Sequence, residues 1–178
     1  MSPQSANGSN RKGLKSHIFP MYGASQERGK RPGTENVLEL VGLGKACEIA
    51  HRDLAANRDH MRRMRDRLET RLLERVTRVR ANGHPKIRLP NTLSVSLEGV
   101  DGNAVLAEIE GQVAASAGAA CHSGQVRVSH VLQAMCVPEE WARGTLRFST
   151  GRMTSETDID TAVTVVARAV ERLRGERR

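Results

Sequence analysis

The sequence predicts an α+β fold, a small mostly antiparallel sheet covered by helices, and three observations lead there. Thr92 to Leu97 alternates Leu93, Val95 and Leu97 against Thr92, Ser94 and Ser96, the period of a half-buried strand. The residues from Ala56 to Val79 and those after Ser155 carry apolar side chains at helical spacing. The elements run helix, strand, helix, strand, helices, strand, helix, with no internal repeat.

Taken in order, MSPQSANGSNRKG is polar, lacks an apolar h-region and reads as a disordered tail over residues 1–16, neither signal peptide nor membrane span. Ile18 to Gly33 is punctuated by Pro20, Gly23, Gly29, Pro32 and Gly33 and is expected to be a loop. Thr34 or Asn36 caps the next helix, whose apolar positions are Val37, Leu40, Val41, Leu43, Cys47 and Ile49, so Cys47 is expected in the core. Ala56 to Val79 forms a long helix with a narrow stripe of Met61, Met64, Leu68, Leu72 and Val76 between charged faces. Gly83 to Pro90 breaks the pattern before the Thr92–Leu97 strand. Asp101 or Asn103 caps a short helix over Ala104–Ile109, and Val113 to Ser116 reads as a strand. A helix over Ser129–Met135 and a short one opened by Pro138 lead to a strand over Leu146–Thr150. Ser155 followed by Asp158 approximates a capping box for the last helix, with Ile159, Val163, Val166, Val170 and Leu173 facing inward.

The 178 residues supply one sizeable core. The net charge of +8 is compatible with an anionic partner, but the arginines from Arg52 to Arg80 are interleaved with Asp53, Asp59, Asp66, Glu69 and Glu74 and read as a solvated, paired helix face. At 2% aromatic residues there is little on which to stack bases, so no nucleic-acid partner is expected. Three cysteines do not make a disulfide framework; a reducing compartment is expected, the cytoplasm first and an organelle second.

Chemistry concentrates in SAGAACHSG, where Cys121 sits among small residues. The stretch reads as a mobile loop presenting a lone thiol, a candidate nucleophile once ionised, whereas composition alone favours a buried, inert cysteine. His122 is adjacent, but neighbours in an extended loop point apart, so it serves substrate or cofactor more readily than it activates Cys121. Zinc bound by Cys121, His122 and His130 fails on ligand count and spacing, and no metal is expected. In LRFSTGR, Arg147 lies inside the expected strand, where a planar guanidinium can hold a carboxylate by two hydrogen bonds. Arg152, just past it, supports the turn or joins an ion pair. Thr34 follows Gly33 at a helix mouth, a position suited either to an anion or to a plain cap, with Arg28 and Arg31 adding positive charge.

Four blocks in order, QERGKRPGTEN (Gln26 to Asn36), RLPNTLSVSLEG, SAGAACHSG and TLRFSTGRMTSETDID (Thr145 to Asp160), resemble the C-terminal part of the pyridoxal-phosphate-dependent cysteine desulfurase and selenocysteine lyase family, from about His17 onward. The resemblance implies the small domain of the aspartate-aminotransferase-type fold over residues 56–178, with 17–55 as a remnant of the large domain and interdomain connection. It implies L-selenocysteine or L-cysteine as substrate and pyridoxal phosphate as cofactor. By the same resemblance Cys121 takes sulfur as a persulfide, Arg147 binds the substrate α-carboxylate, and Thr34 reaches across a homodimer to the partner's cofactor phosphate. A persulfide or selenium acceptor protein is a further implied partner, and no membrane is. The family's cofactor lysine stands in a Ser-x-His-Lys-type context, and none of Lys12, Lys15, Lys30, Lys45 and Lys86 does. The chain is therefore expected to be a portion of the enzyme that is inactive alone; a partner-binding or decoy module of the full-length enzyme is the alternative. The Gly23-Ala24-Ser25 lead-in departs from the family's glycine-rich version.

Overall fold

The computed structural model describes residues 23–122 and 125–175, with side chains outside 119–127. The chain divides into two compact units, one through Glu48 and one from Ile49 to Arg178. The tail expected over residues 1–16 lies outside the described residues.

The first unit holds a 3-10 turn at Glu27–Gly29 and the start of helix α1 (Val37–Arg75). The sequence predicts two helices here, parted between His51 and Ala56; α1 is continuous because no glycine or proline lies between Lys45 and Arg75 to break it. Cys47, expected in the core, is exposed, as are Val37, Leu40, Val41 and Leu43. Helical periodicity identifies which face is apolar, but whether another element covers that face is a tertiary matter.

The second unit is built on a four-stranded, wholly antiparallel sheet of order β1-β2-β6-β3, with β1 at Val79–Ala81, β2 at Thr92–Leu97, β3 at Ser116–Ala117 and β6 at Thr145–Ser149. The expected helix end at Val79 is corrected: α1 stops at Arg75, Arg78 takes a left-handed φ of 48°, and Val79 enters the sheet. Leu93 pairs with Phe148 and Val95 with Leu146, so both strands turn their large side chains to one face. There they pack with Met64, Leu68, Leu72 and Val76, with Val105 and Ile109 of α2 (Gly102–Glu108), and with Ile159, Val163, Val166 and Val170 of α5 (Glu156–Gly175). Full burial of each such side chain contributes roughly 1.5–3 kcal/mol.

Local polar contacts set the element ends. Asp101, not Asn103, caps α2, its Oδ1 accepting from the Asn103 and Ala104 amides at 2.8 and 3.3 Å. Ser155 and Asp158 form a reciprocal box at the start of α5: the Ser155 amide donates to Asp158 Oδ2 at 2.8 Å and the Asp158 amide to Ser155 Oγ at 3.2 Å. At the other end Arg174 donates to the carbonyls of Glu98 (2.7 Å), Thr77 (2.8 Å) and Arg78 (3.2 Å), fastening α5 to the start of β1 and the end of β2. Arg65, 5% exposed, donates to the Leu89 carbonyl at 2.7 Å and ties α1 to the loop before β2.

Gly144, between α4 (Glu139–Ala142) and β6, is where two backbones come closest, since a Cβ there would lie 1.9 Å from the Leu97 carbonyl oxygen. Gly144→Ala should cost more than ~4 kcal/mol, because backbone atoms cannot step aside, and calorimetry should show the melting temperature falling by at least about 10 °C. Ser155→Ala should cost about 1 kcal/mol, some 2–4 °C. The Ser155 amide, then its hydroxyl, hold the Asp158 carboxyl below its usual pKa. Its contribution is therefore fully present above the unfolded value near ~3.9 and is lost as pH falls through the lower folded value. Asp158→Asn should accordingly lower stability at neutral pH and cease to do so in strong acid, as urea titrations at the two pH values would register.

Candidate functional site

The face of the sheet opposite the main core carries the polar and charged residues of its strands. On this face β2 presents Ser94 and Ser96, β6 presents Thr145, Arg147 and Ser149, and β3 presents Ser116. One end of it is closed. Ser96 and Thr145, 0% and 2% exposed, share a hydroxyl–hydroxyl hydrogen bond of 2.8 Å, and Asn82 Nδ2 donates to Ser96 Oγ at 2.8 Å and Ser94 Oγ at 3.2 Å. Over this end lies a second apolar cluster of Leu132, Val137 and Ala142 with Val128 and Trp141, the Trp141 ring lying 5.8 Å from the Arg80 guanidinium carbon.

The other end is open. Arg147 stands on the central strand β6 between Ser94 of β2 and Ser116 of β3, and it is exposed. Among the described residues it makes no hydrogen bond or ion pair. Serines on both flanks leave the fork sterically free, and five N–H donors without an acceptor are suited to a carboxylate. Arg152, exposed in the turn after β6, forms no described hydrogen bond and acts at longer range on Asp53.

The cysteine segment differs from the expected irregular loop. Its backbone forms two strands, β4 (Ala119–His122) and β5 (Gln125–Val128), paired from Ala119↔Val128 to His122↔Gln125 with Cys121 opposite Val126. The segments AACH and QVRV, the second alternating polar residues with valine, satisfy their backbone groups across the pair, which a loop would leave to water. The Cys121 side chain lies outside the described residues. The hairpin grows directly from β3: Gly118 donates its amide to the Thr145 carbonyl at 2.7 Å, and the Ser129 amide returns to the Gly118 carbonyl at 3.3 Å. Ser129 Oγ then caps α3 (His130–Ala134) through the Val131 amide at 3.2 Å. The root of the cysteine hairpin and Arg147 thus share one sheet.

Thr34 belongs to the first unit and is exposed. The open choice of cap is resolved: Asn36 Oδ1 accepts the Glu39 amide at 3.3 Å, and the Thr34 hydroxyl makes no hydrogen bond among the described residues. Arg31, expected to add charge to an anion site, instead braces the loop on either side of Thr34, donating to the Gly33 carbonyl at 2.6 Å and Glu35 Oε1 at 2.7 Å. Arg28 has no such partner among the described residues. Upstream, Glu27, Arg28 and Gly29 take left-handed φ values of 53°, 59° and 77° in succession, a costly conformation for Glu and Arg. Sequence reasoning missed this turn, and Gln-Glu-Arg-Gly carries only its glycine as a signal for it.

For a bound pyridoxal phosphate these residues fit one edge. A free hydroxyl beside Gly33, at φ 93°, suits a phosphate, whereas Lys30 and Lys86 are exposed and Lys45 pairs with Glu48 at 2.7 Å. Among the described residues no group of histidine, cysteine and acidic side chains could hold a metal, and no helix is long and apolar enough to cross a membrane.

The antiparallel sheet with its helix layer is that of the fold type I pyridoxal-phosphate enzymes. A NifS-like protein from Rickettsia africae superposes with a TM-score of 0.71 at 27% identity, over 85% of this chain and 39% of that one. A second NifS-like protein gives 0.68 at 30% identity, over 85% and 38%. Residues 16–162 match the family described as Aminotransferase class-V, and the chain belongs to that family. A cysteine desulfurase of Gluconacetobacter diazotrophicus is 42% identical over 85% of this chain and 38% of its own length. The cysteine desulfurase IscS of Methanosarcina thermophila is 42% identical over 92% and 40%. The chain thus spans about two fifths of the length of these curated relatives.

If Asn36 alone caps α1, Asn36→Ala should speed amide hydrogen exchange at Glu39 by about fivefold, the equivalent of ~1 kcal/mol. Thr34→Ala should leave that rate unchanged, and a rise in its place would return Thr34 to a capping role.

Proposed function

We propose that this chain contributes the carboxylate-binding arginine, the sulfur-accepting cysteine and a phosphate-contacting threonine to a pyridoxal-phosphate-dependent cysteine desulfurase or selenocysteine lyase. The observation that carries the reading is Arg147, a cation without a described partner on an open sheet face whose neighbouring strand runs into the Cys121 hairpin. The names of the relatives support the same chemistry.

In this reading Arg147 binds the substrate α-carboxylate through two hydrogen bonds and fixes which way the substrate side chain points. Thr34 donates its hydroxyl to the cofactor phosphate, across a homodimer. When bound, pyridoxal phosphate supplies an electron sink conjugated to the substrate Cα. Cys121, as thiolate, attacks the substrate sulfur; the new S–S bond forms as the C–S bond breaks. The C–S pair stays with the carbon, which takes a proton and leaves as alanine, and Cys121 retains the sulfur as a persulfide. A free thiol near pKa ~8.5 is only a few per cent ionised at neutral pH, so the step favours mildly alkaline conditions. With L-selenocysteine the products are alanine and selenium. The chain by itself does not turn over, since its described lysines lie on the surface; the rest of the catalytic apparatus comes from outside residues 23–175, in the cytoplasm.

The exposed row Val37 (65%), Leu38 (84%), Leu40 (54%), Val41 (67%) and Leu43 (61%) favours a second reading, a non-catalytic module that docks on a full-length subunit through the Thr34 segment.

The two readings separate in a chimera in which this chain replaces the matching portion of the Gluconacetobacter diazotrophicus cysteine desulfurase. Release of alanine from L-cysteine with a persulfide on Cys121 is expected, abolished by Cys121→Ala. Loss of the bidentate grip in Arg147→Lys should raise KM about 10–100-fold, from roughly 1.5–3 kcal/mol of charge-assisted hydrogen bonding. Turnover that survives Cys121→Ala, or an unchanged KM in Arg147→Lys, would remove the catalytic reading. The chain alone with pyridoxal phosphate should form no alanine above the cofactor's own background, and L-selenocysteine in the same assay ranks the two substrates.

A further inference from the structure

Gly118 is a glycine for an unusual reason. Its φ is not among the left-handed ones, so its backbone conformation is open to any L-residue. The constraint is space: a Cβ would stand 2.6 Å from Thr145 Cβ, 2.7 Å from Thr145 Cγ2 and 3.0 Å from Leu132 Cδ1. Thr145 Cβ is bonded directly to the backbone, and the two methyl groups belong to side chains held in place by their burial. Thr145 is 2% exposed with its hydroxyl held by Ser96, and Leu132 is 5% exposed in the second apolar cluster. Gly118 therefore lies flat against Thr145, its amide on the Thr145 carbonyl at 2.7 Å, while its own carbonyl receives the returning strand through the Ser129 amide. Both legs of the cysteine hairpin meet at this residue. One residue beyond Thr145 is Leu146, paired with Ala117, and next is Arg147, paired with Ser116.

Resting on the reading above, we infer that Gly118, seated on Thr145, is a positioning residue that sets the distance between the Cys121 thiol and the substrate held by Arg147. Cys121 stands three residues beyond the seat, a lever of about 10 Å at ~3.3 Å per residue. A tilt of roughly 10° at the root then carries Cys121 through nearly 2 Å, and a misplacement of about 1 Å between reacting groups costs on the order of 100-fold in rate. Arg147 is on the far side of the seat, in the sheet, so substrate binding is insulated from such a tilt.

Two measurements test this. In the full chain with Cys47 and Cys136 replaced by Ser, spin labels on Cys121 and on a cysteine introduced as Ser149→Cys report the geometry without any activity. Gly118→Ala should shift or broaden that distance distribution by about 2 Å, whereas an unchanged distribution overturns the inference. In the chimera, Gly118→Ala should lower kcat for alanine formation by ~100-fold with KM within about twofold; an unchanged kcat, or a KM that moves equally, overturns it. Should Gly118→Ala fail to fold, Thr145→Ser decides: it keeps the hydroxyl on Ser96 and removes only Cγ2 beneath the seat, and should lower kcat by several-fold with KM unchanged and broaden the distances. No effect on either rejects the proposal. If the parent chimera does not desulfurate at all, the proposed function fails, while the label distances still judge the seat.

Discussion

The antiparallel pairing of β2 with β6 is the constraint on which the rest of the second unit depends. Its register, Leu93 to Phe148 and Val95 to Leu146, places every large apolar side chain of the two strands on one face and Ser94, Ser96, Thr145 and Arg147 on the other. A slip of one residue would exchange Leu146 with Arg147, burying a guanidinium and exposing a leucine. Such an exchange removes several kcal/mol of apolar burial and adds the desolvation of a charge. The pairing is therefore strongly determined, and α1 and α5 dock where it points.

The polar face is used in two ways. Under α3 and α4 the hydroxyls of Ser96 and Thr145 satisfy one another and Asn82, so polar atoms are fully buried at modest cost. Asn82 Oδ1 is buried with no partner among the described residues, which leaves the Asn82 amide as the weak member of that network. Farther along, the cover ends and Arg147 meets solvent between serines. Most other arginines are engaged: Arg67 with Asp160 and Glu156, Arg88 with Glu69, Arg65 and Arg174 on backbone carbonyls. Much of the positive charge thus serves the scaffold; Arg28 and Arg152 also lack a described partner, and what distinguishes Arg147 is its place on the central strand between two serines.

Elements whose patterns are local were legible in the sequence: the alternation of Thr92–Leu97, the Ser155–Asp158 box, the stripe from Met64 to Val76. What could not be read was tertiary. Val79–Ala81 is too short to show a period, and it is a strand only because β2 offers an edge. Cys47 sits on an apolar face, and no local rule says whether that face is covered. Of the candidate site, residue types were legible and geometry was not. Arg147 stood out as a charge in an apolar strand, but its serine neighbours come from β2 and β3, distant in sequence. The Ala-rich stretch around Cys121 looked like a loop because small residues carry weak propensity for any structure; the cross-strand bonds to β5 decide the matter.

The small residues of that stretch also explain how the Cys121 hairpin can be tied to the strand that carries Arg147. A hairpin that leaves a sheet must stay connected to it at its root, and connection is tightest where backbone meets backbone with nothing between. Gly118 does this through its amide on the Thr145 carbonyl, with the Thr145 side chain filling the place of a Cβ, and Gly144, the residue before Thr145, does it against the Leu97 backbone. Both glycines bear on the two strands that carry the sheet's apolar pairing, so the root inherits the rigidity of the core rather than that of the surface. Beyond the root, residues 119–122 pair only with 125–128, an isolated two-stranded ribbon of marginal intrinsic stability. The division follows from the packing: a fixed seat on Thr145, two residues from Arg147, and beyond it a ribbon whose strands pair with each other.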